Sequence, residues 1–196
     1  MKRLAVTKIL VVSFLLGIST SLSAQDIHSC ADRFNHKTEE RIRYNLNNTY
    51  IISHFKEFDE EFLNNFPFEI PTTGYISSEF GYRRNPFKKS STEFHKGIDI
   101  QNIKGTFIRA PANGTIIKSQ YQSGYGNMIL LKHSEAVSSF YAHLSTSFVF
   151  EGQKIKKGQI IGEIGSTGLS TGPHLHYEIL IDGKNYDPAM FWNFLM

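Results

Sequence analysis

From Leu175 to Ile181 apolar and polar residues alternate almost without a break. A strand turns successive side chains to opposite faces, so Leu175, Tyr177, Ile179 and Ile181 share one face and suit a core. His174, His176 and Glu178 share the other, which sets the two histidines about 6–7 Å apart at Cα and able to reach one small site. Shorter runs of the same kind predict strands near Thr115–Tyr121, Met128–Lys132, Val137–His143 and Gln159–Ile164. Turn signals separate them: Gly105-Thr106, Asn113-Gly114, Gly124-Tyr125-Gly126, Lys157-Gly158 and Asp182-Gly183. Short strands at such spacing predict a mainly β domain built on an antiparallel sheet.

Upstream of Pro67 the period changes. Residues 36–66 contain no glycine or proline, and Ile51, Phe55, Phe58 and Phe62 recur at the spacing of an amphipathic helix. A helical extension over 25–66 is expected to pack this aromatic stripe on the main domain, or to lie over a cleft and restrain it. The main domain is expected to run from 67 to 196, with Pro67 and Pro71 marking the boundary.

The first residues follow a third pattern. Lys2, Arg3 and Lys8 precede or flank an apolar stretch from Ile9 to Ile18, and small residues follow to Ala24. This is the form of a secretory signal peptide, residues 1–24, cleaved near Gln25. Its apolar stretch is shorter than the roughly 20 residues that span a bilayer, so no stable membrane insertion is expected after cleavage. The chain has 196 residues and a formal charge of +3. That excess resides in the leader, so the remaining chain is formally neutral and the basic pI is no argument for a nucleic-acid partner. Cys30 is the only cysteine, which rules out an internal disulfide; it is assigned no function.

Three further polar residues bear on the strand histidines. His95 and Asp99 lie four apart in "EFHKGIDIQN", where glycine and β-branched residues argue against a helix. Fully extended they would stand about 13 Å apart, so sharing one ion requires a bend, which is cheapest at Lys96-Gly97. His143 closes the strand-like run of "SSFYAHLS". Three N or O ligands and an open position describe a catalytic zinc site, whereas a closed structural site would commonly add cysteine. Two remaining histidines could act as general base and as oxyanion stabiliser. Spacing alone does not say which three of the five bind metal.

The stretch from Pro71 to Pro188 resembles the lysostaphin/LytM-type zinc metallopeptidases. The resemblance is carried, in order, by "GYISSEFGYRRNPF", "HKGID", "APANGTI", "GYGNMILLKH", "YAHLS", "GQKIKKGQIIGEIGSTGLSTGPHLHYEI" and "DP". It implies a compact antiparallel, flattened barrel-like metallopeptidase domain with one zinc ion on His95, Asp99 and His176. It also implies His143 and His174 as catalytic residues, and peptidoglycan peptides as substrate. His28, His36, His54 and His133 match no catalytic position, and His133 is expected to be structural or at the surface. Ser139 stands where threonine is usual.

The expected function is a secreted zinc metallo-endopeptidase acting on peptidoglycan cross-links or bridges, periplasmic or elsewhere in the cell envelope. The alternative on the same fold is a non-catalytic regulator of cell-wall amidases. The glycine beat of "VFEGQKIKKGQIIGEIG" also occurs in biotinyl and lipoyl carriers, but no Met-Lys-Met-like tip is present to carry the cofactor.

Overall fold

The computed structural model describes residues 60–88 and 90–192. The leader, Cys30 and most of the aromatic stripe lie outside the described residues. Of the expected helical extension, α1 (Glu60–Asn65) is described. Directly after it, Phe66 and Phe68 are buried, and the Phe66 ring lies 5.2 Å from that of Phe191. The packed unit thus begins before Pro67. Phe191 belongs to α2 (Ala189–Trp192), near the other end of the described chain.

Between these helices lie twelve strands among the described residues. In chain order they are β1 (Tyr75–Ser78), β2 (Gly81–Arg84), β3 (Thr92–His95), β4 (Ile98–Gln101), β5 (Phe107–Arg109) and β6 (Gly114–Gln122). They continue with β7 (Gly126–Lys132), β8 (Val137–Ser147), β9 (Lys154–Ile155), β10 (Ile160–Ile164), β11 (His174–Ile181) and β12 (Lys184–Tyr186). Ten form one antiparallel sheet whose main path runs β1-β4-β11-β8-β7-β6-β9, and β2 and β3 form a separate hairpin. The strands expected from alternation all form. Those between Tyr75 and Arg109 carry no such signal, because their apolar runs are only one or two residues long.

Pairing carries the alternation of β11 across its neighbours. Leu175 faces Ile100 and Tyr177 faces Ile98 on β4. On β8, Tyr177 faces Tyr141 and Ile179 faces Ser139. These residues are buried together and form the core face. Burial of a large apolar side chain stabilises by about 1.5–3 kcal/mol, so this pattern fixes which face of β11 turns inward, and with it which side chains lie on the other face. There His176 stands opposite Asp99 on β4 and opposite Ala142 on β8. The β11–β12 turn holds this strand's far end, with Asp182 and Gly183 both at positive φ (50° and 74°), as a two-residue hairpin turn requires.

His143 was expected at the end of its strand, but β8 continues to Ser147. The physical reason is a bulge. Across β7, Asn127 pairs with Leu144 and Ile129 with Tyr141, so two steps on β7 match three on β8. The extra residue falls beside His143, whose φ is +62°, an uncommon conformation outside glycine. The same point is a fork: up to Ala142 β8 pairs with β11, and from Leu144 it pairs with β10.

Candidate metal centre and active site

The bend expected at Lys96-Gly97 is present, since β3 ends at His95 and β4 begins at Ile98. Its glycine answers a need for space. A Cβ on Gly97 would collide with the carbonyl oxygen of Tyr177 and stand 2.9 Å from Glu178 Cγ. The turn can therefore press directly against β11, and His95 folds back onto Asp99.

Three buried atoms converge there. His95 Nε2 lies 3.0 Å from Asp99 Oδ1 and 3.0 Å from His176 Nδ1, and His176 Nδ1 lies 2.9 Å from Asp99 Oδ1. The other nitrogen of each ring is committed elsewhere. His95 Nδ1–H donates to the Glu79 carbonyl at 2.8 Å. His176 Nε2–H donates to Glu178 Oε1 at 3.0 Å, and Asn185 holds the second oxygen of that carboxylate. With both rings neutral, two nitrogen lone pairs and a carboxylate oxygen would face one another, an arrangement that calls for a positive charge. The groups respond accordingly. Burial tends to raise the Asp99 pKa, but hydrogen bonds to His176 and His95 outweigh it and hold the carboxyl well below its usual range. Burial tends to lower the His176 pKa, and Asp99 and Glu178 together raise it.

The donor set fits zinc. Two imidazoles and a carboxylate are a common catalytic ligand set, and a tetrahedral zinc with bonds of about 2.0–2.2 Å spaces its ligand atoms about 3.3–3.6 Å apart, close to the triangle found here. The outward hydrogen bonds of both rings are the supports that metal-binding histidines normally have. Among the described residues this is the group of histidines and acids close enough to hold an ion.

One support has no signal in the sequence. Arg83 donates from Nη1 to Asp99 Oδ2 at 2.8 Å and to Ser78 Oγ at 2.6 Å, while its Nε donates to Glu93 Oε1 at 2.9 Å. Asp99 thus offers Oδ1 to the histidines and has Oδ2 taken by a cation. The β2–β3 register, with Arg83 opposite Glu93, sets this contact. Nothing local in "GYRRNPF" distinguishes Arg83 from Arg84.

His143 and His174 stand beside the triangle, with ring centroids 4.8 Å apart. His143 lies 6.0 Å from His176 by the same measure. The His143 backbone N–H donates to the Tyr125 carbonyl at 2.8 Å, and its ring Nδ1–H donates to the Thr167 carbonyl at 2.8 Å. Nε2 is thereby left as the basic nitrogen. Burial lowers the His143 pKa to about 4, so the ring is neutral near pH 7. His174 Nδ1–H donates to the Gly172 carbonyl at 2.8 Å, and its Nε2 lies 3.7 Å from Asp99 Oδ1. All five histidine and aspartate side chains line one open cavity of about 920 Å³. His133 is elsewhere, buried and bonded to the Asn113 carbonyl and to Ser139 Oγ, which in turn meets Tyr141 Oη.

The profile of peptidase family M23 matches residues 93–188, which contain the whole triangle and both flanking histidines. The chain belongs to this family. The catalytic domain of the antimicrobial peptidase lysostaphin from Staphylococcus simulans is 31% identical with a TM-score of 0.52, over 70% of this chain and 99% of that domain. The DD-carboxypeptidase/endopeptidase Mpg of Neisseria meningitidis is 45% identical over 114 residues, 58% of this chain and 26% of Mpg. The murein hydrolase activator NlpD of Escherichia coli is 39% identical over 122 residues, 62% of this chain and 30% of NlpD. The M23 chain thus corresponds to about a quarter to a third of the length of these two relatives.

Proposed function

We propose that this M23 protein is a zinc metallo-endopeptidase that hydrolyses peptide cross-links or bridges of bacterial peptidoglycan. The observation that carries the reading is the convergence of His95, Asp99 and His176 on one point, with two further histidines on the same cavity. His95, Asp99 and His176 would hold one zinc ion, which when bound polarises the scissile carbonyl and acidifies water. His143 supplies the base: its neutral ring, with Nδ1–H tied to Thr167, presents Nε2 to take a proton from the attacking water. His174 would stabilise the developing oxyanion. With Nδ1–H bound to Gly172, its Nε2 can donate only when the ring is protonated.

The wider reading follows the sequence. Residues 1–24 serve as an export signal, 25–66 as a helical extension and 67–196 as the peptidase domain, placing the protein in the periplasm or cell envelope. Among the described residues no helix is long and apolar enough to cross a membrane. Likeness to NlpD favours a second reading, a regulator of other wall hydrolases. The presence of all five site residues favours the enzyme.

The deciding experiment is digestion of isolated peptidoglycan by the zinc-loaded protein, with mass spectrometry of the released fragments. New peptide termini that vanish with a chelator and return with zinc are expected. Zinc binding without cleavage, with and without residues 25–66, would favour the regulator.

A further inference from the structure

The bulge that sets His143 at positive φ interrupts the β7–β8 ladder where Asn127 faces Leu144. An interrupted ladder leaves a donor on one strand and an acceptor on the other, and both need partners. Here they share one. Asn127 N–H donates to Thr167 Oγ1 at 3.0 Å, and the Thr167 hydroxyl donates to the Leu144 carbonyl at 2.8 Å. Thr167 belongs to neither strand, lying in the loop between β10 and β11. The Asn127 side chain spans the same gap, from Nδ2 to the Leu144 and Ser145 carbonyls.

The other polar atoms of Thr167 turn to His143 itself. Its carbonyl accepts the ring Nδ1–H at 2.8 Å, and its N–H donates to the His143 carbonyl at 3.4 Å. One residue thus holds the ring, the carbonyl and the following peptide of the proposed base. Gly126 permits the approach, since a Cβ there would collide with the Thr167 hydroxyl and carbonyl. The hydroxyl must accept on one side and donate on the other. Serine can do both, and valine, of nearly the same shape as threonine, can do neither.

We infer that Thr167 is a positioning residue for the base: its hydroxyl, wedged in the β8 bulge, places its own carbonyl against His143 Nδ1 and so aims Nε2 into the cavity. This rests on the endopeptidase reading with His143 as base. Thr167 acts through His143 and touches no reacting atom.

The test uses the full chain, loaded with zinc, and whichever of a cross-linked peptide dimer or pentaglycine the wild type cleaves. Misplacing a catalytic group by about 1 Å can cost about 100-fold, so Thr167→Val should lower kcat by about 10- to 100-fold and leave KM within about twofold. Thr167→Ser should recover most of that loss. In a His143→Ala background Thr167→Val should have almost no further effect, because no base remains to be placed. A purely structural role would lower activity by the same factor in both backgrounds. Independently of turnover, nitrogen-15 NMR of the imidazoles, with His143→Ala to assign the signal, reads the tautomer. Wild type should show His143 as a single Nδ1–H tautomer, and Thr167→Val a mixture. An Nε2–H ring in wild type, an unchanged ring in Thr167→Val, no recovery in Thr167→Ser, or equal losses with and without His143 would each overturn the inference. If neither substrate is cleaved, the endopeptidase reading fails, and the tautomer comparison alone decides the role of Thr167. If Thr167→Val does not fold, Thr167→Ala takes its place in every comparison.

Discussion

His95 Nε2 and His176 Nδ1 stand 3.0 Å apart, while the opposite nitrogen of each ring donates its proton outward, to Glu79 and to Glu178. Two neutral imidazoles so arranged repel each other unless a cation sits between them. One equivalent of zinc should therefore stabilise the protein. With free zinc at a thousand times Kd the gain is about 4 kcal/mol. In a domain of this size that corresponds to a rise in Tm of roughly 10 °C, readable by scanning calorimetry against the chelated protein. His176→Ala should abolish the rise.

Arg83 holds Asp99 Oδ2 and leaves Oδ1 to the histidines. Arg83→Met keeps most of the side-chain volume but frees that oxygen and leaves Glu93 with Asn85 as its partner. Loss of a support of this kind typically weakens metal affinity about 10- to 100-fold. Competition with a chromophoric chelator would measure it, and an affinity equal to wild type would show that Arg83 does not act on the centre.

His143→Ala removes the proposed base and leaves the triangle untouched. Cleavage should fall by about 10²–10⁴-fold, with zinc stoichiometry and Tm close to wild type. Full activity in this variant would require another base.

Gly97→Ala should be among the most damaging single-methyl changes in the chain. The added Cβ meets the Tyr177 carbonyl group and Glu178 Cγ, so β4 and β11 cannot keep their distance. A loss of about 3 kcal/mol or more is expected in denaturant unfolding, accompanied by weaker zinc binding.

His133 sets an acid limit on stability. Burial lowers its pKa from 6.5 to about 4 against the opposing Asn113 hydrogen bond. The unfolded chain therefore takes up this proton first as pH falls. The stabilising contribution is complete above pH 6.5 and is lost progressively towards pH 4, by about 3 kcal/mol in total. Unfolding of wild type and His133→Gln at pH 7, 5.5 and 4 should show a shallower pH dependence in the variant.

The strands with period-two burial were legible because alternation and turn residues are local signals. The β11 faces follow from Leu175, His176 and Tyr177 directly. The five site residues could be grouped by chemistry, and their separate roles came only through resemblance. Arg83 was illegible because its partners lie 5 to 16 residues away across a hairpin whose strands are only four residues long. The bulge at His143 was illegible for a different reason: one extra residue in a strand has no compositional mark when the residue at positive φ is not glycine. His133 could be excluded from the site, and its burial with Ser139 and Tyr141 depends on pairing that no short window contains.

His176 and Asp99 face each other as direct partners across β4 and β11. Sliding β4 by two residues would keep every apolar side chain on its own face, so hydrophobic burial discriminates weakly against that error. The same slide would carry Asp99 about 7 Å from His176 and leave no site for an ion. A metal held between these strands would thus proofread their alignment, favouring the register in which His176 faces Asp99.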